Sequence, residues 1–336
     1  MALDSSAYQR EEDVAFFERE LASFVPDKVF DAHAHLDVQG SPQPLLKGTD
    51  QGVGHADYLH LMKCVVPGRD LAANFLSYNK DPDLLMKANE WTASQIARDS
   101  RCRGEFFVCP TDDPEWVRQQ VRRLGLTGLK CYHTRAPMSP SWPQDRPTWD
   151  ADVCDYLPEP LVQVAEDERL VITLHMVKAR AVADPSNIHW IRHYCEKFPH
   201  MKLILAHSSR GFQPQHNFEG LVQLTGLENL YFDCSANCEP IAHQSIMRIA
   251  GHKKLMYGSD FPVSHLRGRS LGASDSFVWL YEETPVWGEK HTLVKPVLLG
   301  LEHLRSLKWA CWAEKLSDSQ VEDIFWNNAA ELFGVS

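Results

Sequence analysis

Val29-Phe30-Asp31-Ala32-His33-Ala34-His35-Leu36 is an apolar run that ends in two histidines at i and i+2. In an extended chain alternate side chains share a face, so both imidazoles project from one side near the end of a strand. The same format recurs along most of the chain: a short apolar run, a turn or polar loop, then an amphipathic stretch. Strands are expected at 29–36, 63–67, 105–110, 128–133, 170–176, 202–208, 230–235 and 254–258. Helices are expected at 83–99, 114–124, 159–168, 187–198, 218–224 and 240–250, several with proline near their start, where a missing N–H costs least. Eight strands with interleaved helices predict an α/β fold of the (β/α)8 TIM-barrel type. An open doubly wound sheet is disfavoured because no glycine-rich dinucleotide fingerprint follows an early strand. Ahead of the first strand, Val14, Phe17, Leu21 and Phe24 form one apolar stripe of a helix, expected to pack on the barrel floor. Residues 1–26 therefore read as a helical extension and 27–336 as the barrel with its C-terminal helices.

Composition narrows the function classes. The 336 residues carry 34 Lys plus Arg against 45 Asp plus Glu, a net charge of −11, which argues against a general nucleic-acid binder. No run approaches about 18 apolar residues, and Met1-Ala2-Leu3-Asp4 has neither a basic nor an apolar leader pattern. No membrane association is expected, and a cytoplasmic address is the default. The nine cysteines are odd in number and scattered, so disulfides are not expected. Three segments exceed ordinary connections: 38–61, 264–292 and the Pro- and Trp-rich 134–158, which reads as a candidate lid. Trp142, Trp149 and Trp287 in these loops are candidates to wall a ligand, although tryptophans in long loops more often serve packing.

A lone His-x-His is weak evidence for a metal; position strengthens it. The run 170–175 ends in His175, the run 202–207 in His207, and 254–260 in Asp260. In a parallel barrel all strand C-termini open on one rim, where the chemistry is done, so five metal-competent groups from four strands converge there.

At these residues the sequence resembles the amidohydrolase superfamily, in the amidohydrolase-related branch that includes aminocarboxymuconate-semialdehyde decarboxylase. The likeness spans about 29–334. It rests on Asp31-Ala32-His33-Ala34-His35, Gly128-Leu129-Lys130, His175, His207, Tyr257-Gly258-Ser259-Asp260-Phe261-Pro262 and the closing Ile324-Phe325-Trp326-Asn327-Asn328-Ala329. The resemblance implies that His33, His35, His175 and Asp260 hold one divalent cation, most often Zn2+, with Mn2+ or a second ion as alternatives. It puts His207 beside the reacting carbonyl or on a second metal. Lys130 would be a ligand only in a two-metal site, as a carbamate; otherwise it binds substrate or a neighbouring carboxylate. Zinc lowers the pKa of bound water from about 15.7 to about 7, leaving Asp260 to move the proton and His207 to donate to the developing oxyanion. Relatives of this type are often homodimers.

Cations just past the strand ends imply a small anionic organic substrate: Arg135, Lys178, Arg210, and Arg267 with His265. Each could equally bridge a loop to a carboxylate. Arg210, in His207-Ser208-Ser209-Arg210-Gly211-Phe212, is the preferred anchor, and Ser208 and Ser209 read as turn residues because no nucleophile elbow surrounds them. His133 falls on the opposite strand face from Lys130 and reads as structural. The leading reading is a metal-dependent hydrolase of a carboxylate-bearing amide, lactone or C–C bond. The alternatives are a metal-dependent non-oxidative decarboxylase of an aromatic or muconate-type acid, and a non-catalytic ligand-binding barrel.

Overall fold

The computed structural model describes residues 5–41, 45–46, 51–284 and 295–335. Eight parallel strands pair in sequence order: β1 (Lys28–Ala34), β2 (Asp70–Leu76), β3 (Arg103–Phe107), β4 (Gly128–Tyr132), β5 (Val171–His175), β6 (Lys202–Leu205), β7 (Leu230–Asp233) and β8 (Leu255–Met256). The ring is completed by backbone bonds between the first strand and the segment running on from the last. Ala32 N–H donates to Tyr257 O at 2.8 Å, Asp260 N–H to His33 O at 2.7 Å and His35 N–H to Phe261 O at 2.8 Å. With helices on the outside this is a (β/α)8 barrel, as the repeated format predicts.

The second strand departs from expectation. The run 63–67 is the turn after helix His55–Met62, and β2 lies a few residues later. Asp70-Leu71-Ala72-Ala73-Asn74 is poor in β-branched residues, so intrinsic preference does not mark it as a strand. Its neighbours decide the matter: Ala72 and Ala73 are fully buried, and Asn74 Nδ2 donates to Glu105 Oε1 at 2.8 Å.

β1 carries one extra residue against β2, since Asp31 pairs with Ala73 and Ala34 with Phe75. Such a bulge re-aims the side chains around it, and here it falls at His33. Glycine keeps two approaches close. A Cβ on Gly258 would lie 2.9 Å from the His33 Cβ, and one on Gly128 would lie 2.8 Å from the Val171 carbonyl oxygen.

The N-terminal helix, Glu11–Glu20, turns Asp13, Phe16 and Phe17 inward and leaves Val14 46% exposed, so the anticipated stripe is rotated. An ion pair sets that rotation. The buried Asp13 carboxylate takes Arg267 Nη1 at 2.9 Å and the Leu298 N–H at 3.1 Å. The helix lies beside helix Leu299–Ala313 with Phe17 under the Arg69 guanidinium at 5.5 Å, and the turn after it brings Phe24 edge-on to Phe325 at 5.5 Å.

After β8 the chain forms an antiparallel hairpin, β9 (Gly268–Ala273) and β10 (Ser276–Tyr281). Trp287 lies outside the described residues. Segment 134–158 folds into single turns and the short helix Val153–Tyr156. Within it Arg146 pairs with Asp152 at 2.9 Å and covers Trp142 at 4.9 Å, so Trp142 is packing. All nine cysteines are free thiols. No helix among the described residues is long and apolar enough to cross a membrane.

Candidate active site

The cluster grows out of β1 and the segment after β8. His33 Nδ1–H donates to Asp233 Oδ2 at 2.9 Å, and His35 Nδ1–H donates to the Leu76 carbonyl at 2.9 Å. Both tautomers are set by these acceptors, and each ring is left with its Nε2 lone pair facing the cavity. Both Nε2 atoms stand 3.5 Å from Asp260 Oδ1. Tetrahedral ligation with bonds of about 2.0–2.1 Å puts neighbouring donors about 3.3–3.5 Å apart, so two imidazoles and a carboxylate in this arrangement fit a divalent cation. Burial pushes His33 down to about 4 against the opposing pull of Asp233, which leaves it neutral, as a metal ligand must be. Burial alone would raise the Asp233 carboxyl, but His33 and the surrounding donors outweigh it and hold the group well below the usual carboxylate range. Asp31 ties β1 to the segment after β8 by accepting from the Ser259 N–H at 2.7 Å, and to helix His55–Met62 by accepting from the Tyr58 hydroxyl at 2.8 Å.

His175 and His207 form a second group on the same cavity wall. Arg210 Nη1 donates to His175 Nε2 at 3.3 Å, so His175 carries its proton on Nδ1 and donates to His207 Nε2 at 3.1 Å. His207 Nδ1–H in turn donates to the Ser235 carbonyl at 3.0 Å. This chain of donors differs from the sequence expectation in two ways. Of the four anticipated ligands, His33, His35 and Asp260 stand together, whereas both ring nitrogens of His175 are engaged elsewhere. In this tautomer both nitrogens of His207 are engaged as well, Nε2 as the acceptor from His175 and Nδ1–H as the donor to Ser235, so His207 does not show the cavity the donor expected for an oxyanion. The cavity enclosed by these groups has a volume of about 370 Å³ and is also lined by Lys130 and Tyr132. Its position at the strand C-termini is where barrel enzymes work. The wider concavity of about 690 Å³ lies at the other end of the strands, beside Phe24 and Trp326, and has no histidine in its lining.

The amidohydrolase family model matches residues 30–335. The chain belongs to the amidohydrolase family. A search of curated proteins finds no match. Among solved structures the barrel is similar to an amidohydrolase from Burkholderia multivorans with bound HEPES (14% identity, 92% of this chain and 99% of that one covered, TM-score 0.58). It is also similar to 5-carboxyvanillate decarboxylase LigW from Sphingomonas paucimobilis (14%, 93% and 100%, 0.55). A third is a probable 2-pyrone-4,6-dicarboxylic acid hydrolase from Acinetobacter baumannii with citric acid bound (14%, 91% and 99%, 0.54). At such identities the likeness establishes the fold. Hydrolases and decarboxylases both occur among these neighbours.

In this amidohydrolase most of the anticipated substrate cations have structural work instead. Arg135 donates to the Lys80 carbonyl at 2.9 Å and to that of Asn79, and covers Phe107. Arg267 is paired with Asp13, and His265 Nε2–H donates to the Leu61 carbonyl at 3.0 Å with its ring edge-on to Tyr8. Lys178 sits on Asp150 and Asp152 at 3.3 and 3.1 Å. Loops rich in Asp and carbonyl groups satisfied these cations locally, the alternative any single Arg carries. Arg210 differs: among the described residues no carboxylate pairs with it. Lys130 is buried beside Glu105, and burial lowers the lysine while raising Glu105 to about 7. His133 is structural, donating from Nδ1 to the Thr148 carbonyl at 3.0 Å. A further group, His55, Asp99 and Cys102, lies outside this cavity, and Arg101 already neutralises its carboxylate at 2.8 Å. The sequence reading passed over Asp31 and Asp233. Asp233 carried a signal, since it is a carboxylate ending an apolar strand, as Asp260 nearly does.

Proposed function

We propose that the protein is a metal-dependent hydrolase of a small carboxylate-bearing substrate, an amide, lactone or C–C bond, with one divalent cation held by His33, His35 and Asp260. The observation that carries the reading is the pairing of that donor set with an unneutralised guanidinium, Arg210, one hydrogen bond from the cavity wall. Zn2+ is the preferred cation and Mn2+ the alternative. When bound, the cation would polarise a substrate oxygen and acidify water. The remaining work belongs to the chain. Arg210 would orient the substrate carboxylate, Asp260 would hold or pass a proton through its second oxygen, and His207, held by the His175 donor, would stand beside the reacting group. Lys130, at the cavity base, stays a ligand only for a second ion.

The test is metal content with product analysis. Wild-type protein is expected to hold close to one ion per chain, and His35→Ala and Asp260→Asn to lose metal and turnover together. Full metal occupancy in both variants would overturn the assignment. In water enriched in heavy oxygen the label is expected in the product; CO₂ release without label would move the protein to the decarboxylase alternative, which uses the same residues.

A further inference from the structure

A second cavity, of about 260 Å³, has Arg210 in its wall; Trp149, Ala179, Ala181 and Phe277 supply its apolar lining, and Lys178, Gln213, His216 and Ser276 its polar lining. Arg210 therefore belongs to the wall of one cavity while its Nη1 reaches His175, which lines the other. The guanidinium is supported on its remaining sides by neutral groups. It donates to the Met176 carbonyl at 3.2 Å and lies 5.7 Å from the ring of Phe277 on the hairpin after β8. Phe277 in turn stacks on Phe212 at 4.6 Å. The other cation in this cavity, Lys178, is already neutralised by two aspartates, whereas Arg210 has no carboxylate partner among the described residues. The backbone that carries it is unusual: His207, Ser208, Ser209 and Arg210 are all in the left-handed region, with φ of 58°, 52°, 61° and 54°. L-residues with a Cβ rarely hold that conformation in succession, and persistent strain of this kind clusters at ligand sites.

We propose that the cavity beyond Arg210 is a second compartment of the substrate site, which takes the apolar, ring-sized tail of a carboxylic acid whose carboxylate sits on Arg210. This deepens the proposed function and rests on Arg210 being the carboxylate's partner. The ligand would straddle the guanidinium, with the group to be transformed in the cavity of His33, His35 and Asp260 and the tail against Trp149 and Phe277. The hairpin then sets specificity, since it contributes both the tail wall and the ring beneath the guanidinium.

The experiment is equilibrium binding to zinc-loaded protein with two probes, acetate and 4-phenylbutanoate. Wild type is expected to bind the phenyl acid about tenfold or more tightly than acetate, from the apolar area buried. Ala179 is exposed on the cavity rim, so Ala179→Trp fills the space without disturbing the core; it is expected to abolish the preference and leave acetate affinity unchanged. Arg210→Met is expected to weaken both probes at least tenfold. Equal affinities in wild type, a preference that survives Ala179→Trp, or unchanged affinities in Arg210→Met would each overturn the proposal. Because binding is read without turnover, a failure of the hydrolase assignment would show in product analysis and leave these ratios as they are.

Discussion

At the scale of single residues, tautomers decide what the histidines can do. Asp233 illustrates this, because both of its oxygens are committed as acceptors: Oδ2 to His33 Nδ1–H, Oδ1 to the His207 N–H at 3.1 Å and the Ser235 N–H at 3.0 Å. An amide offers only one acceptor. Asp233→Asn therefore leaves either the imidazole or two backbone donors unsatisfied, and His33 loses the partner that keeps Nε2 free for a metal. Such changes typically cost 10- to 100-fold in metal affinity. The expected outcome is a loss of about that size in a chelator competition; equal affinity for the two proteins would exclude a positioning role for Asp233.

At the scale of elements, the left-handed turn and the N-terminal helix separate strain from support. Ser209 has φ 61° and a buried hydroxyl without a hydrogen-bond partner, whereas Ser208 Oγ is bonded to His243 Nδ1 at 2.7 Å. A left-handed conformation costs an L-residue about 1–2 kcal/mol, partly offset on replacement by the larger unfolded-state entropy of glycine. Ser209→Gly is expected to stabilise the fold by about 0.5–1 kcal/mol, read as a higher melting temperature, while Ser208→Gly gains nothing because it breaks a buried bond. A lower melting temperature for Ser209→Gly would mean the turn is not strained at that position. The N-terminal helix depends on Arg267, since Arg267→Met leaves the Asp13 carboxylate buried without its partner. Breaking such pairs costs about 3–5 kcal/mol, so denaturant titration should show a large stability loss. A stable variant with a raised KM would instead return Arg267 to substrate binding.

For the whole molecule, the pH dependence of stability follows from buried groups of opposite sign. Burial holds His133, His243 and His265 at about 4 and His303 at about 3. Their folded values lie below the unfolded value near 6.5, so unfolding takes up protons between about pH 6.5 and 4, and their stabilisation is lost as pH falls through that window. Glu105 and Asp31 are raised by burial to about 7 and 6 and work the other way, destabilising as pH rises through those values. The histidines are more numerous and shifted at least as far. The melting temperature is thus expected to fall from pH 7 to pH 5, and a rise over that range would contradict the buried neutral histidines. What the sequence determined by itself was the architecture and the rim. Periodicity marks seven of the eight strands, and parallel pairing sends every strand end, with His33, His35, His175, His207 and Asp260, to one mouth. The alanine-rich β2 escaped notice because its strand character comes from its neighbours in the sheet. Only tertiary structure decided which cations remain free and which histidine nitrogens face the cavity. Those properties depend on hydrogen-bond partners far away in the chain, such as Asp13 for Arg267 and Asp233 for His33, and no local spacing encodes them.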